Sequence, residues 1–227
     1  MNHAIELQDK LKSWGASVTG FSKVADKLPE NLKQLGYAIT IGVRLSDFII
    51  DQIATSPTYT YFHHYRTVNA LIDHITLRGT LEIMERDFSA LAVPASQTVK
   101  DVQEDYSSIF PHKTAAVMSG LGWIGKNGLF ISNDYGPRIR LGTILTDMEL
   151  PDMQAQLYRG CGECQECVEH CPAMALTGNC WKEGCDRGNI VDAKACSDWM
   201  NSKFKHIGRG SVCGICMRVC PHGSKIM

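Results

Sequence analysis

CGECQECVEHCPAMA, residues 161–175, spaces four cysteines by three, three and four and follows the last with proline. Cys161, Cys164, Cys167 and Cys171-Pro172 have the spacing of the bacterial ferredoxin run. Three closely spaced thiolates there reach three corners of one iron–sulfur cubane, and the fourth ligates the other cluster of a two-cluster protein. A second motif is therefore expected, and Cys213, Cys216 and Cys220-Pro221 supply it, with Cys196 upstream as the displaced member. Exchanging the fourth cysteines gives one cluster on Cys161, Cys164, Cys167 and Cys220 and another on Cys171, Cys196, Cys213 and Cys216. Paired C-x-x-C elements also hold structural zinc, but zinc takes only four ligands, and this run crowds too many thiolates into one tight loop. Two [4Fe-4S] clusters are the expectation. Cys180 and Cys185 are read as loop cysteines without a cluster role, with competition for the Cys196 position or a third site as the other readings. His170 and His222 adjoin cluster cysteines and are read as hydrogen-bonding or surface residues, because the cysteine count is already full.

Outward from this run the composition changes. All ten cysteines lie between Cys161 and Cys220. The shift places a boundary near residues 151–160, after MELPDM, and divides the chain into 1–155 and 156–227. Hydrophobic residues are 44% and charged residues 21%, enough apolar material for a sizeable core. The net charge of -1 draws the chain as a whole neither to nucleic acid nor to an acidic membrane. No stretch approaches the ~18 apolar residues of a membrane span, and MNHAIELQDKLKSWGAS reads as no secretory signal. The expected compartment is the cytoplasm, where thiols stay reduced.

The first part reads as mixed helix and strand. Leu7, Leu11 and Trp14 repeat at helical spacing up to Gly15. GYAITIGVRL (36–45) is rich in β-branched residues and suits a buried strand. TVNALIDHITLRGTLEIMERD (67–87) has a helical apolar period, with Gly79 a weak spot. SALAVPAS (89–96) reads as a short strand ending at Pro94. LFIS (129–132) and ILTDMEL (144–150) read as strands around the turn NDYGP (133–137). The fold class expected is α+β: a mixed sheet with flanking helices, followed by a small ferredoxin-like module. PTYTYFHHYRTVN (57–69), dense in aromatic and imidazole side chains, suits either a pocket wall or an ordinary helix start.

Clusters alone carry electrons, so what they serve belongs to the first part. Its densest unusual stretch is HKTAAVMSGLGWIGKNGLFIS (112–132). Four glycines in GLGWIGKNG let backbone approach a ligand closely, Lys126 and Asn127 offer donors, and Trp123 a flat apolar face. The same stretch also reads as a glycine-rich turn between a helix and a strand, and it is neither a Walker motif nor a GxGxxG fingerprint.

GLGWIGKNGL, then LGTILTDMEL (141–150), then CxxCxxCxxxCP, in this order and at these distances, resembles epoxyqueuosine reductase, a cobalamin-dependent family with two [4Fe-4S] clusters related to reductive dehalogenases. The resemblance runs from about residue 112 to 222. It implies a corrin-binding first domain, with Gly120, Trp123, Ile124, Gly125, Lys126, Asn127, Thr143, Ile144 and Leu145 lining the cofactor. It implies a module that passes electrons from a soluble donor, such as ferredoxin or flavodoxin, to cobalt, which reduces a bound organic substrate.

The sequence departs from that family in two respects. The family's proton-donating aspartate lies in a V-D-S/T-A-P stretch; here the corresponding strand reads AVPASQ, with Ser96 at that place. Counting back from GLGW without a gap reaches Tyr106, beside Asp105. Reductive dehalogenases use a tyrosine as proton donor, so Tyr106 is a candidate acid, against the reading of a tyrosine packed at a helix start. His112 and Lys113 are the other ionisable pair at this entrance, against the reading of a surface helix turn. The sequence also ends six residues after Pro221, without the helical repeat region with which many epoxyqueuosine reductases hold tRNA. Three functions follow. The first is a cobalamin- and iron–sulfur-dependent reductase of a small or corrinoid substrate. The second is an electron-transfer protein that reduces a partner, for example a corrinoid protein, without substrate chemistry of its own. The third, disfavoured by length and charge, is reduction of tRNA itself. A membrane is not expected as a partner.

Overall fold

The computed structural model describes residues 2–96, 108–151, 153, 160–208 and 212–223. Its helices are α1 (Asn2–Ser13), α2 (Asp47–Asp51), α3 (Tyr59–Met84), α4 (His112–Met118), α5 (Glu166–Glu169), α6 (Ala193–Lys203), α7 (Lys205–Gly208) and α8 (Ile215–Arg218). Its strands are β1 (Val18–Lys23), β2 (Tyr37–Arg44), β3 (Ala90–Val93), β4 (Gly122–Ile124), β5 (Phe130–Ser132) and β6 (Ile139–Thr146). The chain forms two compact units that do not follow a single cut. One takes Met1–Arg44, Val68–Leu121 and Arg140–Leu157; the other takes Leu45–Thr67, Gly122–Ile139 and Tyr158–Met227. The cysteine-rich segment thus shares its unit with two segments from the cysteine-free part.

The first unit is built on a sheet in the order β1-β2-β6-β3. β1 pairs antiparallel with β2, Val18 opposite Gly42, and β3 pairs antiparallel with β6, Ala90 opposite Thr146. Strand β2 is buried at every position from Ala38 to Val43, as its run of β-branched residues requires. Strand β1 has no legible alternation, because Thr19 and Ser22 are buried beside Phe21 and Gly20 interrupts the pattern. Helix α3 presents Ile72, Ile75, Thr76 and Ile83 inward. Gly79, which weakens the helix by propensity, is explained by packing: a Cβ there would lie 2.6 Å from Ile144 Cδ1 on β6. The helix approaches the strand as closely as it does because this residue has no side chain.

Two element boundaries differ from the sequence reading. Helix α3 begins at Tyr59 rather than Thr67, since Thr58 caps it by accepting from the Tyr61 N–H at 3.0 Å; PTYTYFHHYRTVN is a helix start. Strand β6 begins at Ile139 and stops at Thr146, because the Asp147 carboxylate accepts from the Ser89 N–H at 2.8 Å and Thr146 Oγ1 donates to Ser89 O at 2.8 Å. These bonds close the β3–β6 ladder before residue 150.

In the second unit β4 and β5 form a two-stranded antiparallel sheet. Arg138, 3% exposed, pairs with Asp51 at 2.7 Å and Asp47 at 3.3 Å on α2. Among the described residues, no helix is long and apolar enough to cross a membrane.

Candidate metal centres

Local backbone chemistry brings the cysteines together. In the first run, Cys164 N–H donates to Cys161 O at 3.1 Å and Cys171 N–H to Val168 O at 3.2 Å, so tight turns flank α5, which carries Cys167. Helix α6, which carries Cys196, starts at Asp192, whose carboxylate accepts from the Ala195 N–H at 2.9 Å. Helix α8, which carries Cys216, starts at Gly214 with φ of 81°. A side chain there would be strained in that conformation and would meet Ile53 Cδ1 at 2.7 Å. Gly214 therefore allows Cys213 and Cys216 to face one space from opposite sides of a sharp turn.

Two hollows result. One is lined by Cys161, Cys164, Cys167 and Cys220. The other is lined by Cys171, Cys196, Cys213 and Cys216 and extends along an apolar wall that includes Leu176, Val191 and Met200. Cys180 and Cys185 line neither. The four-cysteine sets are those obtained from the sequence by exchanging the fourth cysteines of the two runs. Among the described residues, no three His, Cys, Asp or Glu side chains are grouped to hold a single metal ion; in each set the four thiols surround a space.

Electrostatics divides the cysteines the same way. Burial pushes the Cys167 thiol up to about 11, and Cys161 and Cys164 add to the shift. Burial likewise raises Cys220 to about 11, with Cys161, Cys167 and Cys164 contributing. Cys213 is raised to about 11 by burial, with Cys196 and Cys171 adding. Cys196 is raised by burial and then by Cys171. Cys216 is pushed well up, again by burial first; it feels Cys213, Cys196 and Cys171, and also Cys167 from the other set. Crowded, buried thiols of this kind are costly to ionise in an apolar wall, and iron is what makes the thiolate form favourable.

The polar groups around the hollows fit the same occupant. Lys126 and Asn127, at the turn between β4 and β5, are 5% and 6% exposed. Lys126 Nζ donates to Cys164 O at 3.0 Å and lines the first hollow. Asn127 lines both, donates through Nδ2 to Cys216 O at 3.3 Å, and accepts at Oδ1 from the Leu129 N–H at 3.0 Å. Trp199, on the wall of the second hollow, has a buried Nε1–H with no hydrogen-bond partner among the described residues. The His222 ring stands edge-on to buried Trp123, centroids 5.1 Å apart, and Trp123 packs with Ile131 and Cys220. His170 Nδ1 lies 2.8 Å from Glu166 O on the exposed side of α5.

The remaining residues singled out in the sequence lie as follows. Ile124 and Gly125 are buried, in β4 and in the turn after it; Gly120 ends the turn after α4 with φ of 73°. Thr143, Ile144 and Leu145 are fully buried on β6, Leu145 in a cluster with Val24, Leu35 and Phe110. His112 sits at the start of α4 with Nε2 3.0 Å from Pro94 O and Nδ1 2.9 Å from Thr143 Oγ1. The carbonyl can only accept, so Nε2 carries the proton and Nδ1 accepts from the hydroxyl. Burial lowers its pKa to about 4, with the Arg140 charge adding and the Pro94 hydrogen bond opposing. His112 is a neutral strut at working pH. Lys113 is half-buried beside it, and Ser96 is exposed. Tyr106 and Asp105 lie outside the described residues.

The function of Lys126 and Asn127 toward the cysteine hollows was not legible in the sequence. The signal available was their position in a glycine-rich turn, which indicates close backbone approach but not what approaches.

Comparison with known proteins agrees with this geometry. Residues 160–223 match the family model of the 4Fe-4S double cluster binding domain. An epoxyqueuosine reductase of Synechocystis is 30% identical over 153 residues, covering 61% of this chain and 50% of the relative. A tetrachloroethene reductive dehalogenase of Sulfurospirillum multivorans is 33% identical over 114 residues, covering 47% and 22%. The chain spans half or less of the length of the curated relatives it matches. Among solved structures, an epoxyqueuosine reductase from Streptococcus thermophilus superposes with a TM-score of 0.66 at 22% identity, over 100% of this chain and 67% of that one. A reductive dehalogenase studied for B12-dependent dehalogenation gives 0.74 at 17%, over 95% and 31%. An epoxyqueuosine reductase solved with a tRNA stem loop gives 0.60 at 16%, over 98% and 65%. These likenesses show the fold: helices with an antiparallel sheet, and a double-cluster module.

Proposed function

We propose that this chain, a homologue of the epoxyqueuosine reductases and reductive dehalogenases that carries a 4Fe-4S double cluster binding domain, is an iron–sulfur reductase. The observation that carries the reading is the pair of hollows, each lined by four cysteines. Cys161, Cys164, Cys167 and Cys220 are the ligands of one cluster; Cys171, Cys196, Cys213 and Cys216 are those of the other. When bound, the clusters supply one-electron transfer, and cobalamin, the cofactor of the related enzymes, supplies the reducing metal.

The chain's own residues do the rest. On metal binding the thiols would give up their protons, and the metal–sulfur bonds would offset the cost of ionising them in a buried site. Lys126 holds the Cys164 carbonyl, and Asn127 ties the β4–β5 turn to Cys216, so one turn braces both ligand sets. Corrin and substrate binding are assigned to the first unit, and electron transfer to the second, which joins the cysteine-rich segment to Leu45–Thr67 and Gly122–Ile139. The LGTIL stretch of the first unit is assigned to the corrin side, as its resemblance to the family motif implies, whereas the GLGWIGKNG stretch brings Trp123, Lys126 and Asn127 to the cysteine-rich unit. Tyr106 and Lys113 are the candidate proton sources. The substrate is a small organic molecule, and the electron donor a soluble carrier such as ferredoxin or flavodoxin.

Anaerobic purification with added hydroxocobalamin, followed by iron, sulfide, cobalt and visible-spectrum analysis, tests the reading. About eight irons per chain with one cobalt supports the reductase. The same iron without cobalt supports the second reading, an electron carrier for a corrinoid partner. Absence of cluster iron refutes both. Queuosine profiling of tRNA in a deletion strain separates off epoxyqueuosine reduction, which the solved tRNA stem-loop complex of a relative keeps as a third reading; unchanged queuosine removes it.

A further inference from the structure

Lys126 is an unusual residue for the wall of a cysteine hollow. Its side chain is buried, 5% exposed, and it lines the hollow that holds Cys161, Cys164, Cys167 and Cys220. The partner of its ammonium is a neutral one, the Cys164 carbonyl oxygen at 3.0 Å; among the described residues no carboxylate pairs with it. An ammonium taken out of water without an opposite charge is strongly unfavourable. The hollow beside it is where negative charge collects once four thiolates bind iron. A four-thiolate cluster is an anion, and reduction makes it more negative by one charge.

We infer that Lys126 is the counter-ion of the first cluster and sets its reduction potential above that of the same cluster without the charge. The inference rests on the cluster reading given above. Electrostatically, a single positive charge a few ångströms from the cluster favours the reduced form, because attraction to the added electron is not matched in the oxidised state. Among the described residues, the second hollow has no such cation in its wall. It offers Leu176, Val191 and Met200, with Trp199 and Asn127 as its neutral donors. The two clusters therefore sit in different fields, and the first is the better resting place for an electron. Lys126 touches the ligand loop, not the substrate, so it acts by tuning and positioning.

The test is an anaerobic redox titration of the reconstituted full chain followed by electron paramagnetic resonance, for wild type, Lys126→Gln and Lys126→Arg. Cys220→Ser assigns which signal belongs to the first cluster. Lys126→Gln is expected to keep its iron and to lower the reduced-to-oxidised ratio of the first cluster by roughly tenfold at the wild-type midpoint, ~59 mV for one electron. The second cluster is expected to move much less, and Lys126→Arg to stay near wild type. An unchanged first potential in an iron-replete Lys126→Gln protein, or an equal shift of both clusters, overturns the inference. If Lys126→Gln loses iron, Lys126→Arg decides: iron retained at the wild-type potential supports the charge role, and iron retained at a lowered potential overturns it. A wild-type protein that binds no cluster would instead refute the underlying reading.

Discussion

Lowering the pH from 7 to 4 is expected to destabilise the protein through His112, and the size of the effect follows from its surroundings. The ring is engaged on both sides, with Pro94 O at 3.0 Å and Thr143 Oγ1 at 2.9 Å. Burial depresses its pKa from the ordinary 6.5 to about 4. Because the folded value lies below the unfolded one, the unfolded chain binds more protons throughout that interval. Stability is then fully present above pH 6.5 and declines as pH falls toward 4. A tenfold difference in proton affinity between the folded and unfolded chain is worth about 1.36 kcal/mol, so the full loss is ~3 kcal/mol. Denaturant unfolding of wild type and His112→Gln at a series of pH values isolates this contribution. The variant starts less stable, having lost the fitted ring, but lacks the titration, and the gap between the two proteins should narrow steadily between pH 6.5 and 4. A gap constant with pH, or widening toward acid, would refute the assignment of His112 as a neutral imidazole held between Pro94 O and Thr143 Oγ1. Nitrogen NMR of the ring should give the matching result, a neutral Nε2–H tautomer at pH 7.

Three further outcomes are expected. Cys220→Ser should remove the signal of the cluster built on Cys161, Cys164 and Cys167 and take iron from about eight to about four per chain; loss of only the other cluster's signal would contradict the exchanged ligand scheme. Trp199→Phe removes a buried N–H that has no protein partner among the described residues. If that group donates to the second cluster, one hydrogen bond of about 1 kcal/mol corresponds to ~40 mV, and the second cluster's midpoint should fall by that order with iron content unchanged. Cys180→Ala and Cys185→Ala, singly or together, should leave the iron content at the wild-type value, since neither residue lines a hollow; a loss of iron would return them to the ligand set.

The cysteine spacing, read with the two-cluster pattern in which the cysteine before proline serves the other cluster, anticipated seven of the eight cysteines that line the two hollows. Cys196 stayed open against Cys180 and Cys185 in the sequence, and the fold lines the second hollow with Cys196. The buried strand β2 and the apolar period of α3 were legible too: side-chain alternation and helical repeat depend on neighbours a few residues away. Strand β1 was not, because its Thr19 and Ser22 are buried by tertiary packing and no local pattern announces that. Gly79 read as a weakness and is a fitting surface, since the reason for a missing side chain lies in Ile144, far along the chain. The same holds at the metal centres. Lys126 and Asn127 stood out in the sequence as donors in a glycine-rich turn. Only the fold, which carries that turn to the Cys164 and Cys216 carbonyls, decided that they address the cysteine hollows, because the partner of a buried charge is fixed by what the rest of the chain brings beside it.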